Sequence, residues 1–295
     1  MNTPVIFIIY NRPDLTRQVF EVIRSQQPKH LYVIADGPKL GSAQDAENVE
    51  QTRRLIDPDW DCSLVCDYSD VNLGCQQRIF YGLSSAFEKH DRAIILEDDC
   101  LANADFFRFC EELLDVYANS PEVRQISGTN FLEPRFFKGS HAMTQYPTPW
   151  GWATWRRAWQ EMDLSMTSFF ENEEAIRKRS TISKRAWQKL VKRLKKVSTG
   201  EVDSWAYPWL ATCLAKDGLV VTPKQNLVSN IGFDRRSTHT SDPQSFFANR
   251  PREAFDFPID EYVPVRLDTR VNRELFNLIF ASGYRKKSLF RKLFG

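Results

Sequence analysis

The sequence of 295 residues contains no run of about 20 apolar residues, the length that a helix needs to cross a bilayer. Its amino terminus has neither a basic segment nor a cleavable apolar stretch, so we do not expect secretion. The six cysteines are scattered and lack zinc-ribbon spacing, which favours free structural thiols in a reducing cytoplasm. Lys and Arg (40) nearly balance Asp and Glu (38), and no recognised nucleic-acid-binding module is present. We therefore expect no nucleic-acid partner.

The chain also lacks both glycine motifs that commonly hold nucleotide phosphates. After the first apolar segment, residues 5–10, a dinucleotide fold would have Gly-x-Gly-x-x-Gly, and a P-loop would have its Gly and Lys. This chain has Asn11-Arg12-Pro13 at that point. If a diphosphate binds here, side chains and a cation have to hold it.

Short apolar segments alternate with amphipathic helical segments through the first half of the chain. The predicted strands are residues 5–10, 31–35, 62–66 and 93–96. This alternation is typical of an α/β protein with a mostly parallel central sheet flanked by helices, in which ligands bind beyond the carboxyl ends of the strands. The regular pattern ends near residue 127, which predicts an irregular second half before a helical C-terminal tail.

The fourth predicted strand ends in three consecutive acids, Glu97, Asp98 and Asp99. Because strand side chains alternate in direction, we expect Glu97 and Asp99 on one face and Asp98 on the other. Three neighbouring carboxylates repel one another unless a cation or hydrogen-bond donors compensate them. Alone, the triplet fits a solvated turn and a metal site equally well. The polar residues at the ends of the neighbouring strands, Arg12 and Asp36 among them, favour the metal site.

Two features of the second half bear on function. Trp150, Gly151 and Trp152 suit core packing, but indole faces also bind sugar rings, and a glycine permits close approach. Asp203 precedes Trp205 and the start of a predicted helix. It is interpreted either as an N-cap or as a general base.

Two stretches are strongly basic. Residues 177–196 contain ten Lys or Arg and no acid, with apolar positions at helical spacing, and residues 284–295 combine basic residues with Leu and Phe. A solvated face explains each stretch. The functional alternative is a surface for anionic lipid headgroups or a phosphorylated acceptor, with peripheral contact at the inner face of the membrane.

These residues together resemble nucleotide-sugar glycosyltransferases of the GT-A fold. The resemblance is to the N-acetylglucosaminyltransferase I and O-mannose N-acetylglucosaminyltransferase family, and to bacterial proteins labelled hemolysin-like. It runs from about residue 5 to 239 and is most specific over 77–109, with Arg78, the acidic triplet and Asp105-Phe106-Phe107 at the family's spacing. It implies a Rossmann-like GT-A domain over 1–240, with a nucleotide-binding half (1–127) and an acceptor half (128–240). A C-terminal extension over 241–295 follows.

The resemblance also implies roles for residues of the nucleotide half. Arg12, with Asn11 beside it, stands where the family holds the nucleotide, and Asp36 where the family reads uracil. Arg78 replaces a His near the base and ribose. The implied metal ligand is Asp99, holding Mn²⁺ or Mg²⁺, with Glu97 and Asp98 near the nucleotide and sugar.

In the acceptor half, Asp203-Ser204-Trp205 resembles the family's Asp-Asp-Trp, which implies that Asp203 is the catalytic base. Trp205 is then expected in the acceptor and sugar pocket together with Trp150, Gly151 and Trp152. Because Ser204 replaces one acid, Glu201 is the reserve. Thr238-His239 is similar to a Ser-His segment in a loop that closes over the diphosphate. The implied activity is metal-dependent, inverting transfer from a UDP-sugar to a glycan, lipid-linked or other hydroxyl acceptor.

Two other functions fit parts of the sequence. A sugar nucleotidyltransferase uses a related sheet, but it would carry a glycine-rich loop with Arg after the first strand. A non-catalytic, membrane-associating protein with a vestigial site would use the basic stretches alone. Metal-dependent UDP binding distinguishes these functions from glycosyl transfer.

Overall fold

The computed structural model describes residues 1–234, 236, 242–260 and 263–281. Within these residues the strands are β1 (Val5–Ile9), β2 (His30–Ala35), β3 (Ser63–Tyr68), β4 (Arg92–Glu97), β5 (Cys100–Ala102), β6 (Val123–Ser127), β7 (His141–Thr144), β8 (Trp152–Trp155), β9 (Leu219–Pro223) and β10 (Val228–Asn230). The α-helices are α1 (Pro13–Gln26), α2 (Ala43–Arg54), α3 (Cys75–Lys89), α4 (Ala104–Val116), α5 (Arg156–Trp159), α6 (Thr167–Glu171), α7 (Glu173–Arg179), α8 (Lys184–Ser198), α9 (Ala206–Ala215) and α10 (Thr269–Phe276). A 3₁₀ turn (Pro134–Phe136) and a π-helical turn (Asn277–Ala281) complete the set.

The central sheet has eight strands in the order β3-β2-β1-β4-β8-β6-β9-β7, and β5 pairs with β10 in a separate ribbon. Strands β1 to β4 run parallel, whereas β8 is antiparallel to both of its neighbours, β4 and β6. The predicted α/β class with a central sheet flanked by helices is therefore confirmed. The chain builds outward from β1 to β3 and then returns to place β4 on the other side of β1. Such a reversal leaves a crevice at the carboxyl ends of the two strands.

Strand β1 shows why these apolar segments form a doubly covered sheet. Val5, Phe7 and Ile9 belong to the core shared with α1 and α4, while Ile6 and Ile8 belong to the core shared with α3. All five side chains are buried, as expected for a strand covered on both faces. This buried centre of the sheet fixes the positions of the residues that directly follow β1 and β4.

The second half of the chain packs on the same sheet through less regular elements. The apolar side of α8 contacts α9 and the segment from α10 onward. The amide of Gln145, just after β7, donates to the Asn272 side chain of α10 at 2.8 Å. No helix within the described residues is both long and apolar enough to cross a membrane.

Candidate functional site

Arg12 joins the ends of β1 and β4. It is the N-cap residue of α1, whose first turn bonds to its backbone oxygen, while its guanidinium reaches the end of β4. Its Nη2 donates to Asp98 Oδ1 and, at 3.0 Å, to Asp99 Oδ2. Burial alone would lower the pKa of Arg12, but the charges of Asp98 and Asp99 outweigh it and raise the pKa. The structure thus joins Arg12 with two acids of the triplet at the crevice between β1 and β4.

The three acids do not alternate in direction as predicted. Asp98 and Asp99 both bond to Arg12, whereas Glu97 forms a hydrogen bond with the side chain of Trp205. The expected separation of Asp98 from Asp99 is wrong because β4 ends at Glu97 and the chain turns over the next two residues. Pleated-strand geometry does not extend into a turn.

Loss of hydration controls the protonation of Glu97 and Asp98. Burial, reinforced by the charges of Asp99 and Asp98, raises the pKa of Glu97 to about 8. Burial also raises the pKa of Asp98 to about 6, although the charge of Arg12 opposes the shift. The triplet therefore consists of acids with distinct environments rather than three equivalent solvated carboxylates, as a turn on the surface would have.

The backbone at Gly232 closes one side of the site. The amide of Ile231 donates to the backbone oxygen of Asp99 at 2.9 Å. A Cβ on Gly232 would lie 2.2 Å from Asp99 Oδ2 and 2.7 Å from Arg12 Nη1, so only glycine fits here. Gly232 was not among the predicted site residues, and the only signal for it was a single glycine just after a short strand.

Arg236 ties the same segment to helix α1. Its Nη1 and Nη2 donate to the two oxygens of Asp14 at 2.8 and 2.9 Å, and Nη2 also donates to Asp234. These hydrogen bonds lower the pKa of Asp14. The segment after β10 is thus anchored beside Arg12 at the start of α1.

Asp203 caps a helix of the nucleotide-binding half. Its Oδ2 accepts from the backbone N–H of Cys75 at 2.7 Å, and its Oδ1 accepts from Gln76 at 2.8 Å. The predicted cap on the following helix is therefore wrong: α9 begins at Ala206 without a side-chain cap, and Asp203 caps α3 instead. The carboxylate is exposed, and a helix N-terminus stabilises its negative charge.

The Cys75 thiol lies between the acidic triplet and Asp203. Burial raises its pKa well above the usual range, and the charges of Glu97 and Asp203 add to the shift. The thiol therefore stays protonated, consistent with the structural role expected from the sequence. Its position shows that the end of β4 and the segment around Asp203 meet at the first turn of α3.

The other residues predicted to contact the nucleotide form hydrogen bonds within the protein. Asp36 accepts hydrogen bonds at 2.9 Å from the amides of Gly37, Leu73 and Gly74, which fixes the loop after β3. Asn11 donates to Asp45 Oδ1 at 2.5 Å.

Arg78 is buried, where it donates to the backbone oxygen of Ala35 at 3.0 Å and pairs with Asp67. Asp36, Asn11 and Arg78 thus hold loops and strand ends in place at the rim of the crevice. Their contacts with a nucleotide stay predictions.

The three tryptophans of the predicted sugar pocket divide into two buried rings, Trp152 and Trp205, and one partly exposed ring, Trp150. Trp152 is fully buried and stacks on Trp205, with ring centroids 5.3 Å apart and an interplanar angle of 19°. Buried rings stacked on each other have no free face for a sugar, so the predicted sugar-pocket roles of Trp152 and Trp205 are corrected to core packing. Gly151 has a positive φ of 64°, and its backbone packs against Val228. Trp150 is half-buried and remains the candidate platform.

The donor atoms at the site suit a hard divalent cation. No cluster of three or more His, Cys, Asp or Glu within the described ranges forms a ready-made metal site. Asp99 nevertheless offers carboxylate oxygens, and Asp98 Oδ2 is buried without a hydrogen-bond partner among the described residues. Mg²⁺ is commonly held by one or two carboxylates plus substrate phosphates, so these residues fit a cation that arrives with a diphosphate. His239 and the basic stretch 284–295 lie outside the described residues.

No family model and no curated protein match the sequence. Among solved structures, the chain is similar to a mannosyltransferase from Pyrobaculum calidifontis in complex with GDP-Man and Mn²⁺ (TM-score 0.42, 17% identity, 74% of this chain and 69% of that chain). It is also similar to TarS of S. aureus (TM-score 0.41, 10% identity, 77% and 59%) and to a cytidylyltransferase from Leptospira borgpetersenii (TM-score 0.34, 11% identity, 55% and 64%). The chain spans about three fifths of the length of these last two. Similarities this distant assign neither a family nor an activity.

Proposed function

We propose that this protein is a GT-A type glycosyltransferase that moves a sugar from a UDP-sugar to a glycan, lipid-linked or other hydroxyl acceptor. The observation that carries the proposal is the pairing of Arg12 with Asp98 and Asp99 at the carboxyl ends of β1 and β4. This is where open α/β sheets bind ligands, and the sequence has no glycine loop to bind phosphates there. Without such a loop, a diphosphate can be held by the positive charge of Arg12 and by a metal ion on the neighbouring carboxylates.

The leaving group of such a transfer is a nucleoside diphosphate, whose growing negative charge has to be stabilised. Arg12 provides one positive charge, and Asp98 keeps its guanidinium in place. Asp99, with Asp98 beside it, would hold Mn²⁺ or Mg²⁺ together with the diphosphate. When bound, such a cation supplies Lewis-acid stabilisation of the departing phosphates.

Asp203 is the proposed general base. Each of its oxygens accepts one backbone N–H, and a carboxylate oxygen has two lone pairs, so both oxygens keep accepting capacity. The helix end fixes the orientation of the exposed carboxylate, which is able to take the proton of an attacking acceptor hydroxyl. One base with direct attack inverts the anomeric configuration. Glu201 is less suitable because it bonds to Lys196 and Thr199 beside α8.

The test compares the variant Asp99→Asn with the variant Asp115→Asn. Asp115 is a surface acid near the end of α4 and pairs with Arg92. We expect UDP with Mn²⁺ to raise the melting temperature of the wild type and of Asp115→Asn. Both proteins should also hydrolyse one member of a UDP-sugar panel. Asp99→Asn should lose both responses.

Three results would contradict parts of this proposal. Full activity of Asp99→Asn would remove the metal assignment, and the lack of any UDP response in the wild type would remove the nucleotide-sugar site. Release of pyrophosphate from UTP and a sugar phosphate would indicate a nucleotidyltransferase instead. The cytoplasmic location and the peripheral membrane contact stay predictions.

A further inference from the structure

Helix α8 presents seven basic side chains on the side opposite to its apolar face. Trp187, Leu190 and Leu194 are buried against α9 and the C-terminal segment, so the apolar face is already used by the fold. The basic side chains are Lys184, Arg185, Lys189, Lys192, Arg193, Lys195 and Lys196. Like charges at this spacing destabilise a helix, so folding alone does not account for them.

Most of these charges have no counter-charge nearby. Lys196 pairs with Glu201 at 2.8 Å, and Arg193 Nε donates to the Tyr207 hydroxyl at 3.2 Å. Within the described part of the chain, the remaining five form no ion pair. The face is therefore an uncompensated cationic surface.

Part of this surface is concave. A groove of about 460 Å³ runs between α8 and the turn before Asp203, and we call it the α8 groove. Its lining includes Trp187, Lys192, Lys195, Lys196, Glu173 and Glu201.

The two acids in its wall are already bonded. Glu173 accepts from the Trp187 indole at 3.2 Å, and Glu201 accepts from Lys196 at 2.8 Å. Lys196 thus compensates the charge of Glu201, and Lys192 and Lys195 outweigh the charge that Glu173 retains, so the groove keeps a net positive charge.

The α8 groove adjoins the candidate base. The amide of Val202 donates to the backbone oxygen of Lys196 at 3.2 Å, which fixes the segment leading to Asp203 against the end of α8. Glu201, in the groove wall, is two residues from Asp203, a separation of at most about 7 Å along the chain. The wall of the groove thus ends two residues before the carboxylate that caps α3, which is not itself part of the lining.

We propose that the α8 groove binds the phosphate or diphosphate group of the acceptor, with Lys192 and Lys195 as its cationic contacts. This rests on the proposed glycosyl transfer and names its acceptor class. A phosphate-bearing acceptor fits better than a lipid surface because the site is concave and the apolar side of α8 faces the core. Interfacial helices bind membranes by burying that side in the lipid.

The experiment titrates inorganic pyrophosphate into the full chain by calorimetry, with and without UDP. The variant Lys192→Gln with Lys195→Gln is compared with Lys184→Gln with Lys189→Gln, which lie on the same helix outside the groove. We expect the first pair to weaken pyrophosphate binding at least about ten-fold and the control pair to change it less than about two-fold, with UDP-sugar hydrolysis unchanged in the control pair. An equal loss in both pairs, or no pyrophosphate binding by the wild type, overturns the proposal.

Vesicle binding distinguishes the phosphate of a lipid surface from the phosphate of a free acceptor. The protein could bind phosphatidylglycerol vesicles through both lysine pairs equally and not bind free pyrophosphate. That result would show that α8 forms a membrane-facing surface and that the groove is not an acceptor site. If pyrophosphate binding maps to the groove but no UDP-sugar is hydrolysed, the anion site stands and the proposed transfer fails. If hydrolysis occurs without pyrophosphate binding, the groove proposal alone fails.

Discussion

The carboxylate of Asp203 accepts a hydrogen bond from the backbone N–H of Cys75 at 2.7 Å, across 128 positions of sequence. This contact joins the first turn of α3 to the segment before α9. It gives Asp203 a structural role whether or not the residue takes part in chemistry. Substitutions at this position therefore have to separate helix capping from proton transfer.

Asp203→Asn should abolish sugar transfer while leaving UDP affinity within about two-fold. The amide retains one oxygen that can cap α3, but it cannot accept a proton at neutral pH. We expect a loss of about 1 kcal/mol in the free energy of unfolding, the usual effect of a weakened cap. Turnover, UDP calorimetry and urea unfolding measure the three quantities. If UDP binding weakens in proportion to activity, Asp203 is a structural residue only.

Gly232→Ala should weaken UDP binding strongly, because the added methyl group would overlap Asp99 Oδ2 and displace it from Arg12. Overpacking of this kind typically costs about 1–3 kcal/mol of stability. Gly41→Ala is the control: Gly41 also resists substitution, through a φ of 77°, but has no atom within 4 Å of the new methyl group. It should lose stability and keep UDP affinity. Similar UDP affinity in the two variants would contradict the close approach at Gly232.

Arg12→Met should destabilise the protein by about 3–5 kcal/mol, because it leaves the buried Asp98 and Asp99 without their cation. Arg12→Lys should recover part of the stability and less of the UDP affinity, since a single ammonium does not match a guanidinium that bonds two carboxylates. Chemical denaturation and UDP calorimetry on both variants test this. Equal UDP affinity in the Arg12→Lys variant and the wild type would show that charge alone is sufficient. An Arg12→Met variant as stable as the wild type would contradict the ion pair.

His141 should make stability depend on pH. Burial lowers its pKa to about 4, and its Nε2 contacts the Tyr117 hydroxyl at 2.7 Å. In the unfolded chain its pKa is about 6.5, so between these values the unfolded state binds the additional proton. Stability is therefore lost as the pH falls from about 6.5 to 4, by about 3 kcal/mol in total.

The matched variant for this effect is His141→Gln, which does not titrate in that range. Its unfolding free energy should be flatter than that of the wild type between about pH 6.5 and 4. Parallel curves for the two proteins would show that other groups cause the acid sensitivity.

The sequence was sufficient to predict that the first four strands are parallel and alternate with helices. The apolar segments of β1, β2 and β4 are buried, so burial determines their pattern, whereas β3 lies at the sheet edge and is largely exposed. The carboxyl ends of the parallel strands meet at one edge of the sheet. The convergence of Arg12 and the acidic triplet at this edge could thus be predicted from the sequence. The proximity follows from topology rather than from a motif.

The remaining features depend on contacts that no local pattern encodes. Asp203 caps a helix that begins 128 positions earlier, and Gly232 meets Asp99 only after the chain has returned through β10. The face of Asp98 was predicted wrongly because the end of β4 at Glu97 depends on the turn that follows. Burial of Trp152 likewise depends on indole rings from α5 and α9.

The stack of Trp152 on Trp205 makes the site spectroscopically visible. Trp205 is hydrogen-bonded to Glu97, and Trp152 also contacts Trp209, so these indoles form one electronically coupled group beside the acidic triplet. Rings held this close and this nearly parallel should give a strong near-ultraviolet circular dichroism signal. A ligand that alters the charge of Glu97 should change that signal without any attached label, so occupancy could be followed in the native protein as it binds.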